Sequence, residues 1–356
     1  MDAPDLTRSA SRPAGEAPQV TATPAADLVV PSIGRPSLDA LLAAIAGETE
    51  APLASLTVVD DRPSPDPAEL ADRLEASDPG VPWRVLATAG RGPAAARNAG
   101  WRAGRAAWVV FLDDDVVPQQ GWGRALARDL AAADGQLRVA AVRGVVEVPR
   151  GDPAPTDWER QVGGLASAPG WLTADLAVRR AALEHVGGLD ERFPRAYRED
   201  TDLELRVRAA GWTDAPGRRA VTHPVGPADR WISVRRQRGN ADDVLMTRLH
   251  GRAWRRRVGE PAGAFPQHLA TVGAAAATGV ALVARQRRWA AAAAAVWVVR
   301  TAWFTWRRVA PGPRTAGEVA TMALTSVAIP PAAVYHRAAG WRRWWRVRAR
   351  TPRWAP

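Results

Sequence analysis

From Asp27 onward, short apolar runs alternate with longer segments of mixed polarity. Leu28-Val29-Val30 reads as a first strand leading into Pro31-Ser32-Ile33-Gly34-Arg35-Pro36, and a helix follows to Ala46. Leu56-Thr57-Val58-Val59 is a second short strand ending at Asp60-Asp61, Pro67–Ala76 is helical, and Trp83–Ala87 is a third strand. Pro93–Ala103 is an Ala-rich helix with Pro93 in the first turn, where a missing N–H is tolerated. The continuous apolar run Ala106–Leu112, bounded by Gly104 and Pro118, has the pattern of a strand buried on both faces. A helix near Gln119–Ala132 and a strand near Leu137–Val148 complete the series. This alternation predicts right-handed βαβ units and an α/β fold on a mostly parallel sheet. No Gly-x-Gly-x-x-Gly follows the first strand, and Gly90-Arg91-Gly92 lacks that spacing, so a dinucleotide-binding reading is unsupported.

Further along, Leu203, Leu205, Val207 and Ala210 suit a helix from Asp200 to Ala210, with Gly211 as its stop. Three Ala-rich apolar stretches then appear, at Leu269–Ala284, Trp289–Val299 and Val319–Tyr335. The longest has 17 residues and is interrupted by Pro330-Pro331, whereas a membrane-spanning helix needs about 20. Pairing the first two as a hairpin puts Arg285-Gln286-Arg287-Arg288 at one end, with Arg255-Arg256-Arg257 and Arg307-Arg308 at the other. Basic clusters at both ends conflict with the charge asymmetry of spanning hairpins. Helices lying in the interface, with Trp at headgroup depth, fit better.

Composition sharpens this division. The 356 residues contain no cysteine, which excludes disulfides, thiolate metal sites and a Cys nucleophile. The net charge of +11 is uneven: residues 251–356 hold 18 Arg against only Glu260 and Glu318, together with nine of the 17 Trp. An enzyme-like body of near-neutral charge is therefore followed by a basic, Trp-rich region. Residues 1–26 are rich in Pro, Ala, Ser and Thr and have no apolar core of a secretory signal, so they read as a disordered leader to a cytoplasmic body. Basic, aromatic segments also suit nucleic acid, but no RNA-binding motif accompanies this one.

The candidate chemistry starts at Asp113-Asp114-Asp115, which closes the strand ending at Leu112. Open α/β sheets bind ligands at the carboxyl ends of their strands. Three carboxylates there repel one another unless a cation or strong donors offset them. A hard divalent ion would take one or two carboxylates and complete its shell with a substrate diphosphate. Taken alone, the triplet is equally a solvated acidic turn.

Its company decides between these. In order, the chain carries Pro31–Pro36, Val58-Val59-Asp60-Asp61, Gly92-Pro93-Ala94-Ala95-Ala96-Arg97-Asn98-Ala99-Gly100, Phe111-Leu112-Asp113-Asp114-Asp115 and Glu199-Asp200. This series, over roughly residues 27–225, resembles the family 2 glycosyltransferases. The resemblance implies a GT-A fold, a Rossmann-like mostly parallel sheet that handles nucleotide-diphospho-sugars, here with a C-terminal helical, basic extension. It also implies an inverting transfer from a nucleotide sugar, with Mg²⁺ or Mn²⁺ as cofactor. Asp113 and Asp115 would hold the metal, with His223 as a further ligand. Pro31, Ser32, Arg35, Asp60, Asp61, Arg97, Asn98 and Asp114 would line the donor site, Asp61 accepting from the base. Asp200 would be the catalytic base beside Glu199, and Trp171, Thr173 and Asp175 would face the acceptor. A helix N-terminus lowers the basicity of Asp200, and its acidic neighbours oppose that effect.

Simpler roles remain for several of these residues: capping for Glu199-Asp200, a structural role for His223, core packing for Trp171. Arg235-Arg236-Gln237-Arg238-Gly239-Asn240 reads either as a basic loop gripping the diphosphate or as a solvated face. Ile33-Gly34 and Arg62-Pro63 depart from the family pattern, so the base is open, with UDP the default. The expectation is a GT-A domain at 27–225, a basic linker or active-site loop region at 226–265, and a membrane-associating helical region at 266–356. The acceptor would be a lipid-linked or cell-envelope glycan, met by a peripheral enzyme on an anionic inner membrane face. The alternative is a sugar-nucleotide-binding protein or a nucleotidyltransferase on a similar sheet; the lack of any Lys argues against the latter.

Overall fold

The computed structural model describes residues 24–149, 151 and 154–349. The expected leader falls largely outside that range. The strands are β1 (Ala26–Ser32), β2 (Leu53–Asp60), β3 (Trp83–Ala87), β4 (Trp108–Leu112), β5 (Val117–Pro118), β6 (Val139–Glu147), β7 (Asp175–Arg179) and β8 (Thr213–Thr222). They form one sheet in the order β3-β2-β1-β4-β7-β6-β8-β5. β1 pairs in parallel with β2 and β4, β2 with β3, and β6 with β8. β7 runs antiparallel to both β4 and β6, and the two-residue β5 runs antiparallel to β8. The sheet is thus mostly parallel, with one inserted strand whose five residues are too few to show a period in the sequence.

Helices α1 (Ser37–Ala46), α2 (Pro67–Ser77) and α4 (Trp122–Asp134) cover one face, and their core includes Leu28, Leu41, Leu70 and Leu126. α3 (Pro93–Ala103), α6 (Arg180–Val186) and α7 (Glu199–Ala209) cover the other, around Val29, Phe111, Leu183 and Leu203. Successive residues of one strand, Leu28 and Val29, enter opposite cores, so β1 is buried on both faces. Local chemistry fixes the helix starts. Asp66 caps α2 by accepting from the Glu69 amide, with Pro67 in the first turn. Gly100 lets α3 lie close on β1; a Cβ there would come within 2.3 Å of Val29 Cγ1.

Between β6 and β7 lies α5 (Asp157–Gly163), started by a capping box of Thr156 and Glu159. After β8 come α8 (Ile232–Arg235), α9 (Gly239–His250), α10 (Trp254–Arg257), α11 (Phe265–Val283), α12 (Arg287–Val309) and α13 (Ala316–Trp344). The basic segment 235–240 is helical, with Arg235 paired to Asp229, not a mobile loop. α11 and α12 make an antiparallel hairpin. α13 returns to the body, with Gly340 against Ala241 and Trp344 in a third core beside Val244, Leu245 and Trp254. Pro330-Pro331, expected to interrupt this segment, sits inside the helix. Each internal Pro costs about 3 kcal/mol; burial of Met322, Ile329 and Ala333 offsets that cost. By length and composition, α13 is the single helix among the described residues suited to cross a membrane, but it also packs on α9, α11 and α12.

Candidate active site

The site forms where β1, β2 and β4 end and α7 begins. Arg97 of α3 is buried beneath it, donating Nη2 to Asp113 Oδ1 (2.5 Å) and Nη1 to Glu199 Oε1 (3.0 Å). One guanidinium therefore joins the acidic triplet to the Glu199-Asp200 pair, which begins 102 residues further along the chain. Asp114 is buried and accepts from Ser32 Oγ (2.7 Å), the Ile33 amide (3.3 Å) and Arg35 Nη1 (3.2 Å). Arg35 also bonds Asp115 Oδ2 (2.7 Å). The β1 loop is thus pinned over the triplet by its own side chains.

His223, just past β8, closes the far side. Its Nδ1 lies 3.0 Å from the Pro224 carbonyl, which can only accept, so Nδ1 carries the proton of that bond. Nε2 lies 3.7 Å from Asp115 Oδ1, too far for a hydrogen bond. Asp113, Asp115 and the His223 imidazole are residue types that could contribute to a Mg²⁺ or Mn²⁺ site. Among the described residues no group of three or more His, Asp or Glu side chains is placed to hold a metal ion, so Asp113, Asp115 and His223 do not by themselves form a metal site.

Electrostatics agree with a centre short of positive charge. Burial pushes Asp114 and Asp115 above the usual carboxylate range, and the neighbouring Asp113 charge adds to both. Burial and then the Asp200 charge raise Glu199 to about 8. Asp200 is also raised, by burial first, although its Oδ1 accepts from the Thr201 amide. Desolvation therefore outweighs the helix N-terminus, which alone would lower it.

Sequence reasoning misses Arg198. It precedes the Glu-Asp pair with a left-handed backbone (φ 81°), unusual for a residue with a side chain. Its guanidinium donates to Asp243 Oδ1 (3.0 Å), Glu260 Oε1 (2.5 Å) and the Tyr197 hydroxyl (2.8 Å), and lies over the rings of Tyr197 and Trp254. Arg255 bridges the same two carboxylates. Residues far beyond the sheet thus hold the turn that delivers Asp200.

Several expected ligand contacts are instead internal supports. Asp60 is fully buried under Arg62, which meets it through its amide, Nε and Nη2. Asp61 accepts from Thr88 Oγ1 (2.7 Å) and the Gly92 amide (2.9 Å), tying β2 to the start of α3. Asn98 is buried against Leu189 and Trp101, and Pro31 is buried within β1. With Ser32, Arg97 and Asp114 they form the hydrogen-bonded support beneath the strand ends. The acceptor-side expectation is corrected: Trp171 and Thr173 are buried, and Asp175 is buried between Arg219 Nε (2.7 Å) and Trp122 Nε1 (2.9 Å). A carboxylate so enclosed has no surface for an acceptor.

The family model described as glycosyl transferase family 2 matches residues 27–162. This segment resembles that family. It holds Asp61, Arg97 and the Asp113–Asp115 triplet, while Glu199-Asp200 lies beyond it and reaches it through Arg97. Two curated relatives, each called pre-mycofactocin glycosyltransferase and drawn from two strains of Mycobacterium tuberculosis, are 32% identical over 133 residues. The match covers 34% of this chain and 27% of the length of those relatives. Among solved structures, the mannosyltransferase PcManGT from Pyrobaculum calidifontis, in complex with GDP-Man and Mn²⁺, aligns over 89% of this chain and 90% of its own. It is 17% identical, with a TM-score of 0.46. S. aureus TarS aligns over 64% and 41%, at 15% identity and a TM-score of 0.38.

Proposed function

We propose that the protein is a metal-dependent, inverting glycosyltransferase that moves a sugar from a nucleoside-diphosphate sugar to a hydroxyl acceptor. The observation that carries this is the Arg97 bridge, which assembles metal-type carboxylates and a basic carboxylate into one centre. The separation of roles follows from environment. Asp113, Asp115 and His223 are the residues that would hold a divalent ion, whose contribution is to neutralise charge on the departing diphosphate. Asp200, with basicity raised by burial, takes the proton from the attacking hydroxyl. A bond forms from that oxygen to the anomeric carbon as the bond to the diphosphate oxygen breaks on the opposite face. One displacement inverts the centre and needs no covalent nucleophile. Arg97 holds the two halves in register, and Glu199, held to it, keeps the Asp200 turn in place.

Uracil is the donor base we favour, so that the leaving nucleotide is UDP. The acceptor we favour is a lipid-linked or cell-envelope glycan at the inner face of a membrane. That location is supported by Val283 and Trp289, exposed beside Arg285, Arg287 and Arg288 at the turn of the α11–α12 hairpin, and by Val299, Trp303 and Trp306, exposed further along α12.

Isothermal titration of UDP, GDP and dTDP with and without Mn²⁺ tests the centre, on the native protein and on Asp113→Ala/Asp115→Ala. One nucleotide should bind in a metal-dependent way and the double variant should lose it. No binding of any nucleotide would sink the transferase reading.

A further inference from the structure

Helices α12 and α13 enclose an open groove of about 710 Å³, a volume typical of small-molecule sites. Its walls come from one stripe of each helix: Val298, Ala302 and Trp306 on α12, and Val319, Ala323 and Val327 on α13. Each set repeats at intervals of four, so each lies on a single face. Ala302 and Ala323 are small between larger neighbours, and this difference in side-chain size makes the recess. Val298, Trp306 and Val327 are about half exposed, an arrangement a water-facing helix pair would be expected to avoid.

One end of the groove carries Arg314, in the connection between the two helices. Its backbone is left-handed (φ 55°), its guanidinium reaches the Ala310 carbonyl (2.7 Å) and lies 5.9 Å from the Trp306 ring. No carboxylate pairs with it among the described residues, in contrast to the buried Arg of the body. This same end is fixed to the catalytic body. Arg308 is buried and donates to Asp157 Oδ2 (2.8 Å), Thr325 Oγ1 (2.8 Å) and Ser326 Oγ (3.0 Å), while Arg160 donates to the Arg308 carbonyl (2.6 Å). Asp157 opens α5, which follows β6; the last residue of β6, Glu147, pairs with Thr222 beside His223. The cationic end is therefore anchored to the part of the body that leads back to the candidate active site.

An apolar slot with a guanidinium at its mouth whose charge no described carboxylate offsets matches a ligand with a hydrocarbon tail and an anionic head. Arg pairs phosphate oxygens in a two-pronged geometry. We propose that the groove seats the tail of a single lipid phosphate, with Arg314 on its phosphate group. Its service as acceptor rests on the glycosyltransferase reading above; its binding does not.

Farnesyl monophosphate, kept below its aggregation limit and titrated without nucleotide, is the probe. Farnesol and inorganic phosphate are the two controls. The full chain should bind farnesyl phosphate at least tenfold more tightly than farnesol, and inorganic phosphate not measurably. Arg314→Ala should weaken farnesyl phosphate about tenfold, and Ala302→Trp or Ala323→Phe, which fill the recess from exposed positions, should abolish it. Nucleotide titration on the same samples confirms that each variant is folded. The proposal is overturned if the native chain binds farnesol as tightly, binds neither, or if the filled variants still bind. It is equally overturned if only phosphatidylglycerol vesicles bind and Ala302→Trp leaves that unchanged, because a bilayer is then the partner. Failure of the transferase reading would look different, as lost nucleotide binding with lipid binding intact.

Discussion

Buried beneath the strand ends, Arg97 satisfies two carboxylates from distant parts of the chain, and Asp200 beside them is left to do chemistry. Asp200→Asn should therefore lower kcat by roughly 10²–10⁴-fold, the usual contribution of a positioned base. Nucleotide affinity measured by titration should stay within about twofold of the native value; a kcat within tenfold of native would remove Asp200 from the role. A second buried acid carries a pH signature. Glu204, bonded to the Trp171 amide, is raised from 4.5 to about 7 because burial disfavours its charge. The folded state then holds this proton while the unfolded chain releases it, so stability falls as pH rises from about 4.5 through 7. Glu204→Gln should flatten that part of a plot of Tm against pH. An unchanged slope would mean that the carboxyl is already ionised.

At the scale of elements, the turn before α7 is held by side chains from α9, α10 and Glu260. Arg198→Ala should lower kcat at least tenfold with little change in nucleotide affinity, because it loosens the base without touching the donor. Arg198→Lys should restore little of this, since an ammonium cannot reproduce a planar fork stacked on Tyr197 and Trp254. A proportional loss of kcat and nucleotide affinity would point to general unfolding instead. Arg198 also shows where sequence reading stops. The strands from β1 to β4 announce themselves as apolar runs, and Asp113, Asp115, Glu199 and Asp200 by their order along the chain. Arg198, Arg97 and Arg219 are three among 48 Arg, and only the fold reveals which of them meet buried carboxylates. β7 is likewise invisible, because its direction is set by the strands it enters between. The helix through Pro330-Pro331 is set by tertiary packing that overrides local propensity.

Across the whole molecule, a compact α/β body carries a hairpin whose base is packed and whose turn is exposed. Vesicle co-sedimentation should show retention on phosphatidylglycerol and little on phosphatidylcholine, because the Arg cluster at residues 285–288 adds attraction of about 1 kcal/mol per engaged Arg. Arg287→Glu/Arg288→Glu should release the protein from anionic vesicles; retention unchanged by the variant would remove the hairpin from that role. Trp344 bears on how the chain is made. Its ring completes a core whose other members lie between Phe193 and Val258, so that core stays open while the ribosome is still adding α11–α13. At usual elongation rates of about 5–20 residues per second this interval lasts roughly 4–17 s. For that time the nascent chain displays Val244, Leu245 and Trp254 without their cover, and the apolar hairpin emerges before the helix that packs against it. A nascent chain of this kind should depend on chaperones or on early capture by a surface, and the order of synthesis favours the hairpin meeting that surface first.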